Sequence, residues 1–282
     1  MGSQRSMKPN SGPSTARVLK LLKESERALI ALSGGVDSAV LVALAGQALG
    51  RHNVLAVTTF SAAVPAAERR AATRVAAFVG VSHHEVETRE LENPDYRANT
   101  GDRCYHCRVE MFETLQQIAR ERGYGTVAYG AIVDDLGDHR PGMVAAERLG
   151  VKAPLLEAGL TKRDVRAIAR RLGLPVSDKP AAACLGSRIP VGTPVTEERL
   201  SQVERAEIAL ARLGFRQFRV RHHGDVARLE LDAEGDRRLQ DLELRRRLVA
   251  DVRAAGFRFV TVDLEGYRSG SLNVVDSEAV LD

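Results

Sequence analysis

The six residues Ser33-Gly34-Gly35-Val36-Asp37-Ser38 constrain this chain more than any other stretch, because they join a buried strand directly to a helix. Before them, Ala28-Leu29-Ile30-Ala31-Leu32 is a short apolar run of the kind that lies inside a parallel sheet, and after them Ala39 to Leu44 begins an apolar helix. Adjacent glycines adopt backbone angles that side chains forbid and let a ligand approach the chain closely. The first amides of the helix present free donors and the positive end of its dipole, and Ser33 and Ser38 add hydroxyls. The expected occupant is a phosphate or pyrophosphate. The turn is not a Walker A motif, since it is shorter and has no lysine before its last serine.

Around this turn the chain alternates. Val54 to Phe60 reads as a second buried strand, Pro65 as the opening of a helix to about Gly80, and His84 to Glu87 as a third strand. Arg108 to Arg122 reads as a helix and Thr126 to Ala131 as a fourth strand. The order predicts an α/β fold, a doubly wound parallel sheet whose ligands collect beyond the carboxyl ends of the strands. The glycine turn, Thr58 and Phe60 on the second strand, and the loop after Ala131 are expected to converge there.

That loop, Asp134 to Gly142, carries Asp134, Asp135 and Asp138 with Arg140. The set suits Mg²⁺ held by carboxylate and phosphate oxygens, with Arg140 on the phosphates or on a substrate acid; the alternative is a solvated turn capped by Asp135 or Asp138. Thr161-Lys162-Arg163-Asp164 opens a helix as a capping box with Asp in place of Glu, and the helix ends at Gly173-Leu174-Pro175. Lys179 to Arg188 is irregular and rich in small residues, with one cysteine and one arginine, and reads as a functional loop.

From Thr196 the composition shifts to a charged amphipathic helix reaching about Leu213. Strands Phe218 to Arg221 and Val226 to Leu231 follow, separated by a hairpin turn at His222 to Asp225, then a helix over roughly Asp236 to Ala255 and a last strand, Phe257 to Asp263, whose alternation suggests one solvated face. Residues 194–282 therefore read as a smaller C-terminal α+β domain for substrate or oligomer contacts, after a domain of residues 17–193. Residues 1–16 have tail composition, and the part before Met7 resembles an expression scar.

Charge narrows the partners only a little. A net charge of +4 is spread over many segments, as in Lys162-Arg163-Asp164 and Arg245-Arg246-Arg247, and reads mostly as solvated helix faces. It permits an anionic partner, a nucleotide or tRNA, without requiring one. No apolar run approaches the roughly 18 residues of a membrane span and the start lacks a signal-peptide core, so a cytoplasmic protein with no membrane partner is expected.

Three cysteines, an odd number, argue for metal or redox chemistry over a disulfide framework. Cys104-Tyr105-His106-Cys107 places two thiols at CxxC spacing, read as a loop just before a helix, and Cys184 lies in the other loop expected at the sheet's carboxyl edge. Several outcomes stay open: a zinc completed by His106, His139 or water, a [4Fe-4S] cluster with one iron open, a redox CxxC without metal, or unrelated thiols.

The motifs in combination resemble one family. Ser33 to Ser38 looks like the SGGxDS signature of PP-loop ATP pyrophosphatases. With Asp138-His139-Arg140-Pro141-Gly142, Lys179-Pro180, Ala183 to Arg188 and Arg219 to Asp225, the chain resembles from about Val18 onward the LarE family, ATP-dependent sulfur transferases that build the nickel-pincer nucleotide of lactate racemase. The resemblance implies that ATP, with Mg²⁺, adenylates a carboxylate of pyridinium-3,5-biscarboxylic acid mononucleotide at the loop of Ser33, Gly34, Gly35, Asp37 and Ser38, and that a sulfur nucleophile then displaces AMP. It makes Cys184 the sulfur-bearing cysteine. Members that also carry a CxxC pair are similar to this chain, and in them three cysteines, here Cys104, Cys107 and Cys184, hold a [4Fe-4S] cluster. Arg188, Arg219 and Arg221 match positions near the substrate phosphate or carboxylate, with surface strand arginines as the alternative for Arg219 and Arg221; Glu207 is expected to assist as a polar group near Cys184. The chain departs from the family's pattern at Ile132-Val133 and Ala182, which bears on adenine or ribose contacts. A small-molecule substrate, no nucleic acid and a homo-oligomer are expected, with a PP-loop tRNA thiolase, an amidating synthetase and a non-catalytic scaffold as other readings.

Overall fold

The structure, a computed structural model, describes residues 12–136 and 141–268. The chain divides into two compact units, Met1–Glu90 with Cys104–Ala182, and Leu91–Arg103 with Ala183–Asp282. The second unit thus begins ahead of the composition shift at Thr196 and takes in a short earlier segment.

In the first unit, strands β1 (Ala28–Ala31), β2 (Val54–Phe60), β3 (Ser82–Glu87) and β4 (Thr126–Ala128) form one parallel sheet in the order β3-β2-β1-β4. Its helices are α1 (Pro13–Leu22), α2 (Val36–Leu49), α3 (Ala66–Val79), α5 (Arg103–Arg122, whose first residue is counted in the second unit), α6 (Pro141–Arg148), α7 (Pro154–Glu157) and α8 (Lys162–Leu172), with α4 (Pro94–Ala98) assigned to the second unit. Ala28, Ile30, Val54 and Ala56 pack with α2, α3 and α8, whereas Leu29, Leu55 and Val57 pack with Phe112, Leu115 and Ile118 of α5. Alternate residues of one strand thus enter different cores, which is why β1 and β2 read as unbroken apolar runs. This is the doubly wound α/β fold the alternation predicts.

The order places β1 inside the sheet with α2 after it, so the glycine turn emerges at a carboxyl edge flanked by strands on both sides. Thr161 accepts from the Asp164 amide and Asp164 accepts from Thr161 N, completing the capping box that opens α8. The helix read from Arg108 begins at Arg103 instead, so the CxxC pair lies in the helix's first turns and not in a preceding loop.

The second unit carries α9 (Glu197–Arg212), the antiparallel pair β5 (Phe218–His223) and β6 (Val226–Leu231), α10 (Ala233–Arg238), α11 (Leu242–Ala254) and β7 (Phe259–Val262), which pairs parallel with β6. Gly224, at φ +62°, opens the two-residue hairpin turn, as a II′ turn requires. The single helix read over Asp236 to Ala255 is two, because Asp241 accepts from the amides of Glu243 and Leu244 and starts α11 afresh. Among the described residues no helix is long and apolar enough to cross a membrane.

His222 of β5 gives this unit a pH dependence. Its Nε2 lies 3.2 Å from Gln202 Oε1 on α9, which makes Nε2 the protonated nitrogen, and its Nδ1 is buried without a hydrogen-bond partner. Burial pushes its pKa below the ordinary histidine value, and Arg199 and His223 reinforce that against Glu198. The unfolded chain therefore takes the proton first. The stability from a neutral His222 is complete above the ordinary value of about 6.5 and is lost as pH falls through it toward the folded value. Burial lowers His83 and His223 in the same direction. In melts at about pH 7.5 and 5.5, wild type should lose more melting temperature on acidification than His222→Gln; equal losses would remove His222 from the account.

Candidate active site

The glycine turn is built as a cradle. Gly34 has φ +80°, and a Cβ there would sit 2.3 Å from the Glu68 carbonyl oxygen in the first turn of α3. Gly130, just after β4, is as tightly placed, since its Cβ would lie 2.7 Å from Ser38 N. Two glycines on different segments thus let α3 and the β4 loop close on the start of α2. Gly35 caps that helix with no side-chain hydrogen bond, so its first amides keep free donors. Within the turn Ser33 N donates to Ser38 Oγ (3.2 Å), Ser38 Oγ donates to the Gly35 carbonyl (3.1 Å), and Gly35 N makes a long contact to Ser33 Oγ (3.4 Å).

Charge around the cradle comes from residues distant in sequence. Lys162 Nζ, at the start of α8, donates to Asp37 Oδ2 at 2.6 Å, while Asp37 Oδ1 is buried with no hydrogen-bond partner. Lys179 Nζ donates to the Gly34 carbonyl (2.9 Å) and to Glu68 Oε2 (2.7 Å). Neither lysine was legible as a site residue: Lys162 reads as a solvated helix face, and Lys179 as part of a motif without a role. The hint in the sequence for Lys162 is its place at the N-terminus of a capped helix.

Asp134 and Asp135 both act as caps. Asp134 Oδ2 accepts from Lys162 N (2.9 Å), fixing the start of α8, and Asp135 Oδ2 accepts from Ile132 N (3.0 Å). Asp138, His139 and Arg140 lie outside the described residues. Thr58 is buried, and its hydroxyl donates to the Leu32 carbonyl (2.7 Å) while sitting 2.8 Å from His83 Nε2. It therefore ties the end of β1 to β2 and β3. Phe60 is half-buried, with the Arg69 guanidinium 3.6 Å from its ring centroid and Arg69 paired in turn to Glu85 at 2.6 Å.

None of the three cysteines is in a disulfide; Cys104 is exposed and Cys107 and Cys184 are half-buried. On α5, Cys104 and Cys107 stand three residues apart and so share one helix face. Among the described residues no three His, Cys, Asp or Glu side chains are gathered where they could hold one metal ion.

Within the second unit, the Cys184 segment is held by arginines. Arg188 is buried, pairs with Glu207 through Nε (2.9 Å) and Nη2 (3.0 Å), and donates from Nη1 to the carbonyls of Ala183 (2.8 Å) and Cys184 (2.9 Å). Arg221 donates to both oxygens of the fully buried Glu230 and to the Ser187 carbonyl (2.8 Å). Arg228 reaches Glu230 (3.2 Å) and Asp263 (2.7 Å). Arg219, across the hairpin from Glu230, bonds its neighbour's carbonyl at Phe218 and lies over Tyr267. Burial and the Arg188 and Arg221 charges lower its pKa from the ordinary arginine value, so an anion here would be welcomed. The structure therefore brings Cys184, Arg188, Glu207, Arg219 and Arg221 into one unit and adds Glu230, which the sequence reading missed because a lone acid on a strand carries no signal of burial.

The comparisons with known proteins agree with this geometry. The asparagine synthase family matches residues 16–100, the stretch that contains the cradle. The uncharacterized protein slr1717 of Synechocystis sp. is 46% identical over 89% of this chain and 94% of its own. The pyridinium-3,5-bisthiocarboxylic acid mononucleotide synthase of Lactiplantibacillus plantarum is 36% identical over 94% of this chain and 96% of its own. A narrower likeness, 32% identity over 55% of this chain and 49% of the relative, links it to the tRNA-specific 2-thiouridylase MnmA of Azorhizobium caulinodans. A likeness that spans both compact units, with the cradle at its start, makes this chain a member of the LarE family, an ATP-dependent sulfurtransferase of the PP-loop type.

Proposed function

We propose that the enzyme adenylates a carboxylate of pyridinium-3,5-biscarboxylic acid mononucleotide and then exchanges its oxygen for sulfur, a step in making the nickel-pincer nucleotide. The observation that carries the ATP half is the open N-terminus of α2 beside a buried, partnerless Asp37 oxygen. The substrate reading is supported by the L. plantarum relative, a pyridinium-3,5-bisthiocarboxylic acid mononucleotide synthase. A carboxylate oxygen attacks the α-phosphorus of ATP, the bond between the α and β phosphates breaks, and pyrophosphate leaves into the cradle of Ser33 to Ser38. A sulfur nucleophile then attacks the acyl carbon and AMP departs with the bridging oxygen, leaving a thiocarboxylate.

The residues fit each role by their chemistry. Asp37 Oδ1 is a buried carboxylate oxygen suited to Mg²⁺ alongside phosphate oxygens, and when bound Mg²⁺ supplies countercharge for the leaving pyrophosphate. Lys162, which neutralises the other Asp37 oxygen, holds that carboxylate in place. Arg219 meets the substrate's phosphate or carboxylate, whereas Arg188 and Arg221, already bonded to Glu207 and Glu230, hold the carbonyls of Cys184 and Ser187 respectively. Arg140, expected on the phosphates or a substrate acid, lies outside the described residues.

For the sulfur source we propose a [4Fe-4S] cluster. It uses cysteine thiolates as ligands, of the kind that Cys104 and Cys107 on one helix face and Cys184 can supply, and when bound it would supply replaceable sulfide. Cys104, Cys107 and Cys184 would hold it. Anaerobic purification with iron and sulfide analysis tests this: any single Cys→Ala should lose most of the visible absorbance and sulfur transfer while adenylation persists. A chain that stops at one transfer, becomes lighter by one H₂S, and tolerates Cys104→Ala and Cys107→Ala would make Cys184 a sacrificial donor and end the cluster assignment.

Asp37→Ala and Ser38→Ala should both abolish pyrophosphate release while the chain still folds, with a melting temperature lowered only by the lost Lys162 pair or turn hydrogen bonds. Unchanged release in both would remove the cradle from the reaction.

A further inference from the structure

We propose that Lys179 is a positioning residue for pyrophosphate, which acts by fixing the orientation of the Gly34-Gly35 peptide; the proposal rests on the reading that the cradle takes the phosphates of ATP. Lys179 Nζ donates to the Gly34 carbonyl at 2.9 Å. In a trans peptide the carbonyl and the following N–H point in opposite directions. A carbonyl held by Lys179 therefore turns the Gly35 N–H to the other side of the peptide, where its one hydrogen bond among the described residues is the long one to Ser33 Oγ at 3.4 Å. That N–H is the cheapest donor in the cradle to hand to an incoming phosphate, since little is given up.

The lock is needed because the peptide lies between two glycines, the residues least hindered in rotating about it. With no anchor the plane can flip, presenting a carbonyl oxygen to the phosphate where a donor belongs. Glu68 makes the anchor specific. Its carboxylate pairs with the same ammonium at 2.7 Å, and both side chains are largely buried, 23% and 14% exposed. The ammonium is thereby aimed at the carbonyl from a fixed side, and Glu68's own carbonyl oxygen is the wall 2.3 Å from where a Gly34 Cβ would be. Behind Lys179 the chain is also tied down: Arg166 of α8 donates to the Ser177 carbonyl and to the Lys179 carbonyl, each at 3.2 Å. The turn and α3 meet at this one ammonium, and α8 holds the backbone that carries it.

Pyrophosphate inhibition of AMP formation reads this role directly. Lys179→Met should weaken inhibition by pyrophosphate about tenfold or more, the worth of one lost hydrogen bond to a charged group. The KM for ATP should rise with it, and affinity for the acidic mononucleotide should stay within about twofold. Lys179→Arg, which can still reach a carbonyl, should recover most of the loss. The double variant Lys179→Met/Glu68→Leu separates positioning from mere stability, since it removes both charges of the pair. It should regain the melting temperature lost by Lys179→Met but not the pyrophosphate affinity. Wild-type pyrophosphate inhibition in Lys179→Met, or recovery of it in the double variant, would overturn the proposal while leaving the PP-loop reading intact. A wild-type enzyme that forms no AMP from ATP would overturn both.

Discussion

Gly34→Ala is expected to abolish AMP and pyrophosphate formation and to destabilise the first unit by roughly 2 to 6 kcal/mol. Two costs combine at this position. The backbone sits at φ +80°, which a Cβ tolerates poorly, and that Cβ would meet the Glu68 carbonyl at 2.3 Å. The second cost decides the outcome, because a backbone oxygen inside a helix cannot move aside as a flexible side chain can. Gly50 provides the control. It has φ +84° and ψ 142° but nothing within 4 Å of its added Cβ, so Gly50→Ala should lose about 1 to 3 kcal/mol through backbone strain alone and keep its turnover. Similar melting temperatures and similar rates for the two variants would mean that close packing against α3 is not what shapes the cradle.

The second large effect separates two arginines that sequence alone treats as a pair. Arg221→Met should destabilise the second unit by about 3 to 5 kcal/mol, since it leaves the fully buried Glu230 without its two-pronged partner. Arg228 at 3.2 Å offsets part of the loss, which favours the lower end of that range. Arg219→Met should fold normally. It should instead weaken the acidic mononucleotide about ten- to a hundredfold, with little change in the KM for ATP, because its guanidinium bonds a neighbouring carbonyl and an aromatic face, whereas that of Arg221 bonds the buried acid of its own hairpin. Thermal melts and substrate titrations of both variants check the contrast. Equal melting temperatures would mean that Glu230 finds another partner, and wild-type substrate affinity in Arg219→Met would make it a surface residue.

What the sequence made legible was local. The strand, glycine turn and helix around Ser33 to Ser38 announce themselves because each is a neighbour effect: an apolar run, residues that accept positive φ, and helix formers in succession. The Thr161 capping box and the Gly224 hairpin are legible for the same reason. What was hidden was nonlocal. Lys162 and Asp37 are 125 residues apart, and Lys179 and Gly34 are 145 apart, so no periodicity links them. The CxxC pair was misplaced into a loop because Cys, Tyr and His are middling helix formers, yet the helix extends through them to Arg103. The break between α10 and α11 was missed because Leu239 to Asp241 continues the apolar and charged rhythm, while the Asp241 side chain starts a new helix by accepting two amides. Arg188 and Arg221 read as substrate ligands by type, and only their hydrogen bonds reveal that most of their donors hold the Cys184 segment and two acids.

The central claim is tested most directly by incubating the anaerobically reconstituted enzyme with ATP and Mg²⁺, adding either the pyridinium mononucleotide or bulk tRNA, and following AMP together with the mass of the acceptor. The account predicts AMP and pyrophosphate formed in step with the mononucleotide, which gains the mass difference between sulfur and oxygen, and no sulfur incorporated into tRNA. AMP formation that depends on tRNA and leaves the mononucleotide unchanged would contradict it.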